Sequence, residues 1–356
     1  MLTDIPELSA LGETTDAAGL VAHANELDRK SVFLDGLCER LNDLGVSCAA
    51  DDSELMLAEV KRRYKSLLGI SCPRTVVEWV RGTVPGFSNR RNNYELCLAL
   101  EMDFEQTADF FRRYFLTLPW GCKSSTDAVF LYCIYHRKHY SLAKKMLETS
   151  TGFVPQENAH TVTAQIFQAI LSTDNDEAFL DYLSKHCYGN EQQFQTARSR
   201  IIEETEQAKE RILDEYVTEK LSSERLNSTL ISELLGYKYQ PDRNSGFVHD
   251  LPKRYTESLP NDVTFGKILG GSTASYETLR KTLMLLHFYN FYSEAVNKND
   301  KDVEANLSDF YFELNEQLDL CGFAPVYLGH PFDYILLGCA NTLEPIVTLY
   351  DVNERN

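Results

Sequence analysis

Lys61, Arg62, Arg63, Lys65, Arg74, Arg81, Arg90 and Arg91 all fall between positions 61 and 92, a stretch that holds one acid, Glu78. Cations at that density suit phosphate chemistry. Each lysine or arginine that meets a phosphate releases condensed counterions, which gives affinity for nucleic acid without sequence choice. Two roles separate within the stretch. Lys61, Arg62, Arg63, Arg90 and Arg91 flank the segment CPRTVVEWVRG (72–82) and would serve phosphates. If that segment is helical, Val76, Val80 and part of Trp79 turn inward, leaving Arg74, Thr75, Glu78 and Arg81 on the outer face. Arg74 and Arg81 could then reach a base edge, where a bidentate arginine–guanine contact gives about 1–3 kcal/mol of discrimination. Glu78 would accept from cytosine or hold an arginine in place.

Elsewhere the residue types that do chemistry stand apart. His136 and His139 are three apart on an expected helical face with only Cys133 nearby, short of the ligand set a metal needs. His186 and Cys187 are adjacent, so on a helix they diverge and do not form a nucleophile and its base. LGGSTAS (269–275) is followed by neither GK[ST] nor GxGxxG; it reads as a break before a helix capped by Ser275. HFYNFY (287–292) reads as helix–helix packing more readily than as a base-stacking platform. The nine cysteines contain no CxxC pair, which argues against a zinc site or a disulfide frame. The sequence therefore predicts no enzymatic activity, no metal and no cofactor.

The elements that would carry these residues are helical. The chain has 356 residues, 43% of them apolar, with 18 glycines and 11 prolines separating long periodic stretches, so an all-α fold is expected. Asp51, Asp52 and Ser53 precede ELMLAEVKRRYKSLLG, an amphipathic helix whose apolar side holds Leu55, Leu57, Val60, Tyr64, Leu67 and Leu68. Val60 to Leu68 would support, Gly69–Ile70–Ser71 would turn, and Pro73 to Arg81 would form a second helix. Three regions are expected: 1–150 with this unit, a helical middle at 151–245, and a helical C-terminal domain at 246–356. In the middle, Phe194, Ile201, Ala208 and Ile212 mark a loose apolar seam along a charged helix, suited to solvent exposure or to self-association. TVVEWVRGTVPGFSNRRNNYELCLALEMD shares its rhythm with VTFGKILGGSTASYETLRKTLMLLHF, and STDAVFLYCI can be laid over HPFDYILLGCA. That pattern suggests a degenerate duplication.

The residues Leu68-Gly69-Ile70-Ser71, Thr75-Val76, Trp79, Gly82 and Pro85, with the following helix Tyr94 to Leu100 and Phe104 to Thr107, resemble the lambda-repressor-like (Cro/repressor, XRE-type) helix-turn-helix class. The resemblance covers roughly 55–115 and implies a recognition helix after the turn, closed by later helices of a four- or five-helix core. Cys72 and Pro73 stand where that class carries polar residues, and five residues intervene before the next helix. The whole chain is similar to uncharacterised bacterial proteins with ELCLALEMD-like and HPFDYILL-like segments.

Charge complicates the picture. The net charge is −18, which repels nucleic acid everywhere outside the basic stretch. Two readings follow. One is a bacterial DNA-binding transcriptional regulator, acting as a homodimer; the other is an interaction protein on a degenerate helix-turn-helix scaffold, meeting a protein partner through its acidic surface. With neither a signal pattern nor an apolar run long enough for a membrane, the sequence predicts a cytoplasmic location and no membrane partner.

Overall fold

A computed structural model describes residues 8, 11, 16–29, 32–83, 85, 89–154, 163–186, 188, 194–215, 223–235, 251–272, 274–297 and 302–354. The described residues are helical without strands, as the apolar periodicity predicts. In chain order the helices are α1 (Ala17–Arg29), α2 (Val32–Asp43), α3 (Ser53–Arg63), α4 (Arg74–Val80), α5 (Arg90–Ala99), α6 (Phe104–Phe110), α7 (Ser125–Tyr135), α8 (Tyr140–Ser150), α9 (Thr163–Ser172) and α10 (Asp176–Lys185). They continue as α11 (Gln195–Glu215), α12 (Ser223–Leu235), α13 (Lys253–Thr256), α14 (Asp262–Leu269), α15 (Tyr276–Asn297), α16 (Val303–Leu320), α17 (Pro331–Ala340) and α18 (Pro345–Glu354). No helix is long and apolar enough to cross a membrane among the described residues.

Two units divide the chain: Ser31–Gln193, and Met1–Lys30 together with Phe194–Asn356. This differs from the three regions expected at 1–150, 151–245 and 246–356. The boundary expected near 150 fails because α9 and α10 complete the first core: Ile166, Ile170, Phe179 and Leu183 are buried, and the Phe179 ring stacks on Tyr132 of α7 at 4.1 Å. The stretch around 245 lies outside the described residues. The helix at 17–29 belongs with the C-terminal part, since Leu20, Val21 and Ala24 bury one face against α17 and α18. Gly338 of α17 makes that approach close; a Cβ there would overlap Leu20.

In the Ser31–Gln193 unit α7 is central, buried from Asp127 to Ile134. An aromatic cluster of Phe33, Trp79, Phe110 and Phe115 joins α2, α4 and α6. α3 ends in a π-turn over Tyr64–Leu68, stopped by Gly69 in the left-handed region (φ 68°), which glycine tolerates without strain. The helical face expected to carry both His136 and His139 is broken between two helices. Arg137 takes a positive φ of 52°, His136 ends α7 and His139 caps α8, so the two histidines do not share a helical face.

In the other unit α17 is central and buried along its whole length, and α11 packs along α15. Ile201, Ala208 and Ile212 of the charged helix are fully buried in this core, so the seam considered for self-association is occupied within the chain. Phe288 and Tyr292 of the aromatic run pack on Phe310 rather than standing free for bases. Ser275 accepts from the Thr278 N–H at 3.1 Å, the cap expected there.

The suspected duplication has a counterpart in side-chain geometry. Arg90, opening α5, donates from Nε to Asp127 Oδ1 (2.8 Å) and from Nη2 to Asp127 Oδ2 and the Leu118 carbonyl (2.9 Å), while the Gly121 N–H donates to Asp127 Oδ2 (2.8 Å). Arg280 in α15 donates to both Asp333 oxygens (2.8 and 2.7 Å) and to the carbonyls of Ala324 and Pro325, while the Tyr327 N–H donates to Asp333 Oδ2 (2.9 Å). Both aspartates stand three residues after the N-cap of the central helix, Ser124 or His330, and six residues before a buried cysteine, Cys133 or Cys339. In each unit an arginine–aspartate lock pins the loop that leads into the central helix. Burial opposes ionisation of Asp333, but Arg280 outweighs it and holds the carboxyl below its ordinary range.

Candidate nucleic-acid interface

The candidate recognition helix is built as its periodicity predicts. Val76, Trp79 and Val80 are buried, which leaves Arg74, Thr75, Glu78 and Arg81 on the outer side, with Arg74 and Arg81 exposed. α4 packs on α3 and α5, so the support, turn and second helix are all present. Pro73 precedes α4 in an extended conformation and gives no side-chain cap. With seven residues at 1.5 Å each, α4 spans about 10 Å, a short probe for a groove.

The nine residues named from sequence part into two groups. Lys61, Arg62, Arg74, Thr75, Glu78 and Arg81 lie on the surface or partly so, and Lys65 is exposed beside them. The Arg74 side chain is 92% exposed and donates from Nε to Glu78 Oε1 at 2.9 Å, one helical turn on. An exposed pair at that spacing is worth about 0.3–0.5 kcal/mol, so exchange of Glu78 for a phosphate costs little. Glu78 thus holds an arginine in the free chain, one of the two roles foreseen for it. Arg62 is engaged bidentately by Glu59 (2.7 and 2.6 Å) yet stays 61% exposed. Arg62 first, then Arg63, hold the Glu59 carboxyl below its usual range against opposing burial.

Three of the expected phosphate ligands are engaged by acids or aromatic groups of the scaffold, although the Arg91 side chain is still 52% exposed. Arg63 is buried between Glu59 (2.8 Å) and Glu101 (2.6 Å). Arg90 forms the lock on Asp127, its guanidinium also over the Tyr94 and Phe111 rings. Arg91 donates from Nε to the buried Glu95 at 2.7 Å and from Nη2 to the Tyr140 hydroxyl at 3.3 Å; those two bonds raise its pKa above the ordinary value, against opposing burial. Freeing Arg90 for a phosphate would strand the buried Asp127 carboxylate, at a cost of about 3–5 kcal/mol, far above what one phosphate contact returns, while Arg63 is itself only 6% exposed.

Sequence reasoning missed the acids that make this difference, since Glu59, Glu95, Glu101 and Asp127 all stand outside the 61–92 window. One signal was readable. Glu59–Arg63 and Arg91–Glu95 are i,i+4 pairs. The C-terminal counterpart of α4 is α14, where Val263 is 66% exposed and Lys267 is the one basic residue.

Among the described residues no group of His, Cys, Asp and Glu is arranged to hold a metal ion. The described cysteines are unbonded, with the Cys38 and Cys48 sulfurs 3.7 Å apart. His186 Nδ1 donates to the Tyr182 carbonyl (3.0 Å), and Cys187 lies outside the described residues. Compared with known protein families, curated proteins and solved structures, the chain matches none.

Proposed function

We propose that the Ser31–Gln193 unit binds DNA through the outer side of α4 and the basic end of α3, as the reading head of a bacterial transcriptional regulator. The observation that carries this reading is the pair Arg74 and Arg81, exposed seven residues apart on a helix whose inner face is anchored by Val76, Trp79 and Val80. Lys61, Arg62 and Lys65 supply phosphate contacts beside them, while Arg63, Arg90 and Arg91 hold the scaffold. Such a regulator works in the cytoplasm, and unpaired thiols are the form a reducing compartment keeps. One seven-residue helix offers little area, so operator affinity calls for two copies on half-sites about 34 Å apart.

The neutralisation of Arg63, Arg90 and Arg91 favours a second reading, a protein-docking scaffold that uses the acidic surface. Selection of fragments from a genomic DNA pool separates the two. The regulator reading expects enrichment of a dyad-symmetric site that Arg74→Glu/Arg81→Glu abolishes. No enrichment by folded protein at low salt would overturn it in favour of the scaffold.

A further inference from the structure

A cleft of about 430 Å³ lies among α11, α15 and α16, within the unit that holds all three helices. Its size suits a small molecule. Besides Gln317, the lining groups less than one-tenth exposed are Glu204 (5%), His287 (8%) and Asn290 (5%). They are wired together. Asn290 uses its amide N–H groups on the Glu204 carbonyl oxygen (2.9 Å) and on Glu204 Oε2 (2.7 Å). His287 Nδ1 faces Glu204 Oε1 at 3.3 Å.

This wiring fixes what the cleft offers. With both N–H groups of Asn290 spent on Glu204, its Oδ1 is buried and has no hydrogen-bond partner. A carboxylate opposite Nδ1 of His287 requires the hydrogen there, so in the neutral ring Nε2 presents a lone pair. That nitrogen is also buried without a hydrogen-bond partner; its nearest acid, Glu313 Oε2, lies 3.9 Å away. Buried acceptors left unmade are uncommon in folded proteins, and two on residues lining one cleft point to a donor that completes them.

The walls agree with the buried groups. The cations of the cleft are already answered: Arg200 by Gln317 Oε1 (2.5 Å) and Glu203 (2.8 Å), Arg211 by Glu294 (3.2 Å). Asp309 and Glu313 add two carboxylates on the α16 side, and Phe291 adds an aromatic side chain. The surplus is therefore in acceptors and negative charge, with an aromatic surface that favours a cation. An anion would meet repulsion here.

We propose that this cleft binds a small organic cation rich in N–H donors, a guanidinium or primary ammonium compound, whose hydrogens satisfy His287 Nε2, Asn290 Oδ1 and the carboxylate of Glu313. The proposal does not depend on DNA binding by the other unit. The cation is either a free small molecule or an arginine side chain presented by a peptide, and the test distinguishes them.

Isothermal titration calorimetry of the full chain uses agmatine, spermidine, the blocked tripeptide acetyl-Gly-Arg-Gly-amide and, as the opposite charge, inorganic phosphate. The expected result is saturable one-to-one binding of agmatine or of the tripeptide and none of phosphate. Tighter agmatine marks a free cation as the occupant; a tighter tripeptide marks an arginine side chain. Glu313→Gln, at a side chain more than half exposed and so harmless to folding, is expected to weaken binding at least about tenfold, the loss of one charge-assisted contact. Lys144→Glu, on another helix, is expected to leave it unchanged. No saturable binding by any of the cations, equal binding by Glu313→Gln, or preference for phosphate would overturn the proposal.

Discussion

Removal of the Asp333 carboxylate should cost far more than its one residue suggests. The Arg280 side chain is 4% exposed and Asp333 1%, and the two share paired hydrogen bonds at 2.8 and 2.7 Å. Asp333→Ala leaves a buried guanidinium held by the carbonyls of Ala324 and Pro325 alone, and leaves the Tyr327 N–H without its acceptor. Breaking a buried pair from one side costs about 3–5 kcal/mol. For a unit of this size that is a fall of roughly 6–20 °C in melting temperature. Asp127→Ala removes the same partner from Arg90, whose side chain is 25% exposed, so water can replace part of what is lost. The expected loss there is smaller, about 2–3 kcal/mol. Urea unfolding measures both, and hydrogen exchange read by mass spectrometry localises them: α15 and α17 should open in the first variant, α5 and α7 in the second. A loss below about 1 kcal/mol for Asp333→Ala, or a loss for Asp127→Ala larger than that for Asp333→Ala, would overturn this ranking by burial.

Two further outcomes are expected. Gly338→Ala should destabilise by about 1–3 kcal/mol, because the added methyl meets Leu20; amide exchange in α1 should accelerate first, and unchanged exchange there would contradict the close approach. His330 is buried and its pKa lowered to about 3 by that burial, from an ordinary value of about 6.5. Between those values the unfolded chain binds a proton that the folded chain refuses, so this residue makes stability rise with pH and fall away as pH drops below about 6.5. His330→Asn, which keeps an N-cap acceptor, should flatten that part of the profile between pH 4 and 7. Burial raises Glu277, which contributes with the opposite sign, so the difference between wild type and variant is the quantity to plot. Parallel profiles would contradict the assignment.

The outer face of α4 was legible because a local rule governs it: Val76, Trp79 and Val80 repeat at helical spacing, and their burial leaves Arg74, Thr75, Glu78 and Arg81 outside. The turn at Gly69 was legible for the same reason. What escaped was settled by distant partners. Arg63 finds Glu101 38 residues away and Arg90 finds Asp127 37 residues away, separations that no periodicity reveals. The overlay of STDAVFLYCI on HPFDYILLGCA marks the two stretches as a possible repeat, but the sequence alone ties neither Asp127 nor Asp333 to an arginine. Helix 17–29 joining the C-terminal unit has no local signal, since an amphipathic face states only that a partner exists. The break at Arg137 was hidden because no glycine or proline marks it, and with it went the shared face of His136 and His139.

The central claim is that exposed cations on α3 and α4 bind DNA while the tied ones do not. Fluorescence anisotropy on a fixed duplex across a salt series tests it, with Arg74→Glu/Arg81→Glu set against Lys144→Glu/Lys145→Glu, an equal charge change on exposed residues of α8. Counterion release gives a slope of about −0.9 per phosphate contact, so four or five free cations predict a log–log slope near −4 rather than the −7 or so that all eight would give. The expected result is that slope, with binding lost in the α4 variant and kept in the α8 variant. Equal weakening in both, or no binding at low salt by folded protein, would contradict it.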